Sequence, residues 1–135
     1  MSFKLGVMLE SFQLPWREAI VCAAQTGVDG VQIRAVDGEL SVDIVTEEIK
    51  RELRSRLAEN GLEISALCGD LGKGFGNREH NGVLIEKSKR IIDLAKELGT
   101  DIVTTHIGVI PADKSRERYR IMQEACFELA AYADR

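Results

Sequence analysis

The sequence lacks the features that define disulfide-rich, membrane and secreted proteins. Its three cysteines, Cys22, Cys68 and Cys126, are odd in number and show no CxxC spacing, which argues against a disulfide framework and a structural zinc site. No apolar run approaches the roughly 18 residues of a membrane-spanning helix. The N-terminus shows no apolar signal core before a small-residue cleavage site. A cytoplasmic protein with no membrane partner is therefore expected.

A basic excess is also missing. The 135 residues include 18 Lys and Arg against 22 Asp and Glu, which gives a net charge of -4 at pH 7. Because nucleic-acid-binding proteins usually present a basic face, no nucleic-acid partner is expected. The apolar content of 44% and the charged content of 30% are ordinary for a soluble globular protein. The length is sufficient for one domain over residues 1–135 with a buried core.

Two common motifs are missing from the glycine-rich segment 69–77. It contains neither GxxxxGK[ST] nor GxGxxG, so it does not match a phosphate-binding loop. We expect a mobile loop or lid there, with Lys73 in solvent. No Ser-His-Asp arrangement is legible elsewhere in the chain.

The sequence does contain a fourfold alternation of short apolar runs and amphipathic stretches. Strands are predicted over residues 4–9, 28–34, 62–68 and 102–108, and helices are predicted to begin at Pro15, after Thr46, near Asn81, and near Asp113 or Ser115. Three helix–strand junctions share one pattern, a glycine followed two residues later by an acid, at 27–29, 61–63 and 99–101. Glycine suits a helix C-cap. The order βαβαβαβα then predicts a parallel sheet with right-handed crossovers.

The amphipathic stretches also predict which side chains are buried. Cys22 and Cys126 fall on the inner faces of the first and fourth helices, where a cysteine behaves as a small hydrophobic residue. The inner face predicted for the third helix comprises Leu84, Ser88, Ile91, Ile92, Ala95 and Leu98.

Candidate binding residues lie at the ends of the predicted strands. In parallel α/β proteins, ligand-contacting residues occupy the C-terminal ends of the strands, and His106 lies near the end of the fourth. A structural histidine satisfied by a neighbouring group is the alternative. Gln32 and Arg34 occupy the equivalent end of the second strand. Glu10 and Ser11 follow the first strand, but nothing in the sequence distinguishes them from ordinary loop residues.

Three segments, 27–33, 92–101 and 105–108, give the chain a resemblance to a known family. It resembles the N-terminal half of the xylose-isomerase-like TIM barrels, which include sugar-phosphate isomerases and epimerases, inosose dehydratases and endonuclease-IV-type enzymes. The resemblance implies four consecutive βα units of a (β/α)8 barrel, a half-barrel with all helices on one side of the sheet. A flavodoxin-like open sheet, with helices on both faces, is the alternative fold.

The resemblance also implies a divalent metal (Mn, Mg, Co or Zn) in the complete protein. The family holds it largely through carboxylates and a histidine on strands five to eight, and two glutamates from those strands move a proton. Gln32 stands where the family commonly has a glutamate. His106 matches the strand-four histidine of the nuclease branch, whereas Cys68 occupies the strand-three position.

A metal site within this chain would have to use Cys68, Asp70, His80 and His106. Two of the four lie in or beside the glycine-rich segment, whereas zinc or manganese needs three or four rigidly held ligands. We therefore expect no metal to be bound by this chain alone.

These inferences predict part of a metal-dependent sugar or sugar-phosphate isomerase or epimerase, or of a related dehydratase. The chain would supply the wall of the substrate pocket through His106, with Gln32 and Arg34 as weaker contacts, and would be inactive alone. A half-barrel has two unpaired edge strands, so either a C-terminal half or a second copy is expected to cover them. The alternatives are a non-catalytic self-associating half-barrel and an endonuclease-IV-like phosphodiesterase.

Overall fold

The computed structural model describes residues 2–135, in which four strands form one sheet. The strands are β1 (Gly6–Met8), β2 (Gly30–Arg34), β3 (Glu63–Cys68) and β4 (Val103–Thr104), and the helices are α1 (Trp16–Gln25), α2 (Glu47–Glu59), α3 (Arg78–Leu98) and α4 (Glu117–Ala133). A 3-10 turn, Leu9–Phe12, follows β1. None of the helices in this part of the chain is long and apolar enough to cross a bilayer.

The strand order decides between the two predicted folds. The strands run β1-β2-β3-β4 in the sheet, and every neighbouring pair is parallel. Right-handed crossovers that always step in the same direction place all helices on one face of the sheet. A flavodoxin-like sheet requires a reversal of strand order, so that alternative is wrong. The prediction of four consecutive βα units, half of a TIM barrel, is confirmed.

The main core lies between the sheet and the helices. Val31 and Ile33 of β2 and Leu67 of β3 are fully buried, and they pack in one cluster with aliphatic residues of α1, α2 and α3. The largest buried helical side chains in that cluster are Ile20, Leu53 and Ile91. Burial of a side chain of this size contributes roughly 1.5–3 kcal/mol, so this layer holds the sheet to the helices.

The opposite face of the sheet carries mainly small or polar residues, with Met8 as a large apolar exception. Because side chains alternate along a strand, Gly30, Gln32 and Arg34 face away from the helices. Gly6 pairs with Gly30, and a Cβ on Gly30 would lie 2.9 Å from the carbonyl oxygen of Glu63. These glycines let the strands approach closely and leave space on the face that forms the inside of a barrel.

Helix α3 begins earlier than the predicted start near Asn81. The helix begins at Arg78 because the side chain of Asn77 accepts a hydrogen bond from the backbone N–H of Glu79 at 2.9 Å. Asn81 is buried in the first turn, and its Nδ2 donates to the carbonyl oxygen of Phe75 at 2.9 Å. The cap therefore lies four residues before the predicted start.

The buried face of α3 is also rotated from the prediction. Ile85 and Leu94 are buried, whereas the predicted Leu84 and Ile92 are only half-buried. Ile85 is buried in a second small cluster with Phe75 of the glycine-rich segment and Ala125 of α4, whereas Leu94 packs in the main core. Ser88, Ile91, Ala95 and Leu98 are buried as predicted. Cys22 and Cys126 are half-buried rather than fully buried.

The fourth strand is shorter than the predicted 102–108. After Thr104 the chain turns to meet the glycine-rich segment, where the N–H of Phe75 donates to the carbonyl oxygen of Ile107 at 2.9 Å. Gly108 has a φ of +95°. Helix α4 then starts at Glu117, later than predicted, because the Asp113 side chain accepts from the Ser115 N–H in a separate turn.

The predicted glycine junctions and the Thr46 cap are confirmed. Gly99 is the C-cap of α3 with a φ of +81°, and the equivalent glycines after α1 and α2 also have positive φ. Thr46 accepts from the Ile49 N–H at 3.2 Å. These caps fix where each strand begins, and so set which residues reach the far edge of the sheet.

Replacing Gly99 with alanine tests the junction. A side chain disfavours this left-handed conformation, so we expect the free energy of unfolding to fall by about 1 kcal/mol. Gly82→Ala is the matched control: Gly82 lies inside α3 without a positive φ, and a Cβ there meets no atom within 4 Å. The control should stabilise the protein by about 0.5–1 kcal/mol. Urea unfolding measures both, and a change of the same sign in the two variants would contradict the assignment.

Candidate functional site

The C-terminal ends of the four parallel strands meet at one edge of the sheet. Glu10 follows β1, Arg34 ends β2, Asp70 follows β3 and His106 follows β4. Because parallel strands deliver their ends to the same side, four chemically useful side chains from distant parts of the sequence share this edge. We call it the ligand edge.

Arg34 presents a fixed cation on the ligand edge. Its Nε donates to both carboxylate oxygens of Asp37, at 2.9 and 3.0 Å. That hydrogen bond is the main reason why the pKa of Arg34 is raised, and the charge of Glu10 also contributes. Within residues 2–135 the two terminal guanidinium nitrogens have no hydrogen-bond partner. They are available to a ligand that accepts hydrogen bonds.

A cavity of ≈ 320 Å³ lies between the loops that follow β1 and β2. Its volume is at the lower end of the range of roughly 300–1,000 Å³ that is usual for small-molecule sites. Its lining includes Leu9, Glu10, Trp16, Ile33, Arg34, Asp37 and Glu39. The Oε2 atom of Glu10 is buried and has no hydrogen-bond partner in the described chain. One carboxylate oxygen of this lining residue is therefore buried beside the cavity without a protein donor.

An ion-pair network centred on α1 holds the loop that follows β2 in place. Arg17 pairs with Glu39 at 2.9 Å and with Glu52 at 2.7 Å, and its guanidinium lies 4.1 Å from the centroid of the Trp16 ring. Trp16 Nε1 donates to Glu39 at 2.6 Å. Hydrogen bonds from Arg17 lower the pKa of Glu39 and lower the pKa of Glu52 to about 2. This network fixes the wall of the cavity opposite β2.

The lowered pKa of Glu52 predicts a pH dependence of stability. Between its ordinary value of 4.5 and the folded value of about 2, the unfolded chain binds a proton that the folded chain does not. The contribution of ionised Glu52 to the free energy of unfolding is therefore complete above about pH 4.5 and is lost as the pH falls toward 2. Urea midpoints measured across this range should fall less steeply for Glu52→Gln than for the wild type.

Glu18→Gln is the control for this titration. Glu18 is an exposed carboxylate in the first turn of α1 and takes no part in the network. Its variant should keep the wild-type acid slope. An unchanged slope in Glu52→Gln would contradict the ion-pair network.

His106 and Asp70 form a pair on the other half of the ligand edge. His106 Nδ1 lies 3.1 Å from Asp70 Oδ2, and Asp70 Oδ1 accepts from the Gly72 N–H at 2.8 Å. The His106 side chain is 85% exposed, so it is not a buried structural histidine. A carboxylate beside Nδ1 favours the tautomer that carries its proton there, which leaves Nε2 free as an acceptor.

The tautomer of His106 can be measured by ¹⁵N NMR of the histidine rings. We expect the Nδ1–H form to predominate in the wild type and the Nε2–H form in Asp70→Asn, because an amide N–H donor in place of the carboxylate would bind a bare Nδ1. His80, an exposed residue of α3, is the only other histidine of the chain and serves as an internal control. If His106 and His80 give the same ring pattern in the wild type, Asp70 does not orient His106.

The structure brings together only two of the four metal-ligand candidates. Asp70 and His106 are neighbours, whereas His80 lies on α3. In residues 2–135 no group of three or more His, Cys, Asp or Glu side chains is placed to hold a metal ion. Zinc and manganese need three or four ligands, so the divalent metal that the resemblance implies does not fit the donors of this chain by themselves.

Gln32 and Arg34 do not reach His106. They lie on β2, two strands away from β4, and neighbouring strands are about 4.8 Å apart. Cys68 of β3 sits between them, level with Arg34 and Thr104 in the register. The predicted residues therefore occupy one edge but form two groups, roughly 10 Å apart.

Sequence reasoning assigned no substrate contact to two residues that the structure places in these groups. Glu10 was indistinguishable from a loop residue, and Asp70 was considered only as a metal ligand. Their position, two residues after the end of a strand, was the available signal. Arg34, which lines the same cavity as Glu10, and His106, which pairs with Asp70, are 24 and 36 positions away along the chain, so each grouping became visible only in the fold.

A larger cavity of ≈ 770 Å³ runs along β4 between α3 and α4. Its lining is mainly aliphatic and includes Ile91, Ile92, Ala95, Val103, Leu129 and Ala130. It lies on the helix side, next to the strand edge of β4 that pairs with nothing in residues 2–135. It is a gap in packing at an open edge rather than part of the ligand edge.

An arc of consecutive parallel βα units with polar side chains at the strand ends defines a TIM-barrel type of protein. The family model of the xylose isomerase-like TIM barrel matches residues 21–135. The chain therefore belongs to the xylose isomerase-like TIM barrel family. No curated protein matches it in a sequence search.

Solved structures of the same fold are similar over nearly the whole chain. A xylose isomerase domain protein from Planctomyces limnophilus superposes with a TM-score of 0.78 at 18% identity, covering 98% of this chain and 50% of that one. D-psicose 3-epimerase, solved in the presence of D-fructose, gives 0.73 at 14% identity, with 98% and 49% covered. The probable 3-DHS dehydratase AsbF from Bacillus anthracis gives 0.71 at 19%, with 96% and 49% covered. The chain thus spans about half the length of these similar structures.

Proposed function

We propose that this chain forms the N-terminal half of a sugar or sugar-phosphate isomerase or epimerase, or of a related dehydratase. Membership of the family and the similarity to an epimerase and a dehydratase support the reaction class. The observation that carries the proposal is the ligand edge, where Arg34 and the His106–Asp70 pair face an open sheet face of mainly small or polar residues.

In this proposal the chain supplies the wall of the substrate pocket. A sugar hydroxyl both donates and accepts hydrogen bonds. The free guanidinium nitrogens of Arg34 would donate to substrate oxygens, and the Nε2 atom of His106 would accept from a hydroxyl. Gln32 is half-buried on the same face and offers an amide that can do either. Binding from several directions orients the substrate, which is a large part of catalysis.

The proposal assigns the divalent metal to residues outside this chain. Such an ion polarises a carbonyl or hydroxyl oxygen of the substrate. Asp70 and His106 are too few to hold it, so the 135-residue chain should be inactive alone. We propose that residues beyond Arg135 supply the remaining strands, and reading the gene past codon 135 should reveal a strand that ends in a glutamate.

Exchange of a substrate carbon-bound proton with solvent tests the reaction class. We expect the complete protein with Mn²⁺ to incorporate deuterium from D₂O into D-fructose, and the 135-residue chain to incorporate none. Arg34→Met in the complete protein should lower kcat/KM by about 10- to 100-fold, because a charged hydrogen bond is lost. Exchange by the short chain alone would contradict the proposal.

Arg51→Met is the matched control for Arg34→Met. Arg51 is an exposed residue on the outer helix α2, so the same change of charge there should leave kcat/KM unchanged. A loss of activity in both variants would point to net charge rather than to contact with the substrate.

A self-associating half-barrel is the second candidate. Large apolar side chains are exposed at or next to both edge strands, including Leu5 at 56% and Met8 at 47% for β1 and Ile102 at 51% for β4. Exposed apolar surface of this kind is typical of an interface. A non-catalytic assembly of this sort would show no deuterium exchange under the conditions above, with or without the metal.

A further inference from the structure

Glu10 is not accounted for by the packing of the fold. It lies in the 3-10 turn directly after β1, next to the buried Leu9. Its Oε2 is buried without a hydrogen-bond donor in residues 2–135. A buried carboxylate oxygen without a donor costs free energy. Such a cost at the ligand edge indicates an atom whose partner is a ligand rather than the protein.

The charges around the ≈ 320 Å³ cavity limit what that ligand can be. Three carboxylates, those of Glu10, Asp37 and Glu39, and one guanidinium, that of Arg34, are among its lining residues. Asp37 is paired with Arg34, and Glu39 is paired with Arg17. Glu10 alone keeps a free acceptor, and Arg34 alone keeps free donors.

A phosphate or carboxylate group would therefore face an excess of negative charge. It could accept hydrogen bonds from Arg34, but it would share the cavity with the Glu10 carboxylate, and like charges repel more strongly where water is partly excluded. A neutral hydroxyl avoids this conflict, because it donates to one group and accepts from the other. Two adjacent hydroxyls could satisfy both Glu10 and Arg34.

We infer that Glu10 contacts the substrate and that, with Arg34, it forms a subsite for neutral neighbouring hydroxyl groups of a sugar, not for a phosphate. The inference rests on the proposed function for the presence of a sugar substrate. It specifies which part of the substrate lies in the cavity between the loops that follow β1 and β2. That part carries neutral hydroxyl groups, and a phosphorylated end lies elsewhere.

Titration of the 135-residue chain with D-fructose, followed by backbone amide NMR, tests the subsite. We expect saturable shifts at Glu10 and Arg34 in the wild type, and no such shifts with inorganic phosphate at the same concentrations. Glu10→Met should weaken the D-fructose response by about tenfold or more, because a charge-assisted hydrogen bond is lost. The D-fructose response of Glu10→Gln, which keeps an acceptor, should lie between those of the wild type and Glu10→Met. Glu18→Met, the matched change at an exposed glutamate of α1, should respond like the wild type.

Thermal unfolding separates a ligand contact from a structural role. Removal of a buried oxygen that lacks a donor should leave Tm unchanged or raise it by up to about 4 °C. A lower Tm in Glu10→Met, with Glu18→Met unchanged, would show that Glu10 stabilises the fold and would overturn the inference.

The outcomes for the subsite and for the enzyme are distinct. D-fructose shifts that do not depend on Glu10, shifts with phosphate at the same residues, or no D-fructose shifts at all would overturn the subsite. A Glu10-dependent response to D-fructose in a protein whose complete form exchanges no deuterium would support the subsite and contradict the isomerase.

Discussion

Backbone hydrogen bonding at the edges of the sheet is the constraint on which the rest of the structure depends. Each strand of a parallel sheet can pair on both sides, and a barrel uses every one of these positions by closing on itself. In residues 2–135, β1 and β4 each pair with a single strand. Large apolar side chains are exposed near these two strands, and the ≈ 770 Å³ cavity lies along β4. These features have one cause: each edge strand of the arc has an outer side on which its backbone groups pair with no other strand of the described residues.

The same arc positions the chemistry. Since the strands are parallel and in sequential order, their C-terminal ends form one continuous edge, and each connecting helix is held away from it on the other face. Glu10 and Arg34 line one cavity beside the first two strands, and Asp70 and His106 form a pair beside the last two. Each pair joins residues from adjacent βα units. The site is therefore a property of neighbouring repeats rather than of any local motif.

Much of the fold could be predicted because it depends on local rules. The alternation of apolar runs, the glycine C-caps such as Gly99 and the Thr46 N-cap all follow from properties of a few neighbouring residues. The predictions failed where a distant contact decided the outcome. The packing of Phe75 and Ala125 of α4 against Ile85 buried a residue outside the predicted face of α3, and beyond Thr104 the chain hydrogen-bonds to Phe75 through Ile107 instead of continuing β4.

The site shows the same division between local and distant information. His106 and Arg34 could be selected from the sequence because they lie at strand ends, which is a local property. Their partners could not, since the Asp70–His106 pair and the Glu10–Arg34 cavity require the register of adjacent strands. The absence of a third metal donor in residues 2–135 likewise became visible only from the distances between side chains.

The central claim is that these four βα units form an open arc that needs a second set of strands. Sedimentation velocity of the 135-residue chain over a range of concentrations, with an apolar fluorescent dye added, tests it most directly. The open arc predicts concentration-dependent association or strong dye binding, because both edges expose apolar side chains. A monomer at all concentrations that binds no dye would show that the arc satisfies its own edges, and would contradict the account.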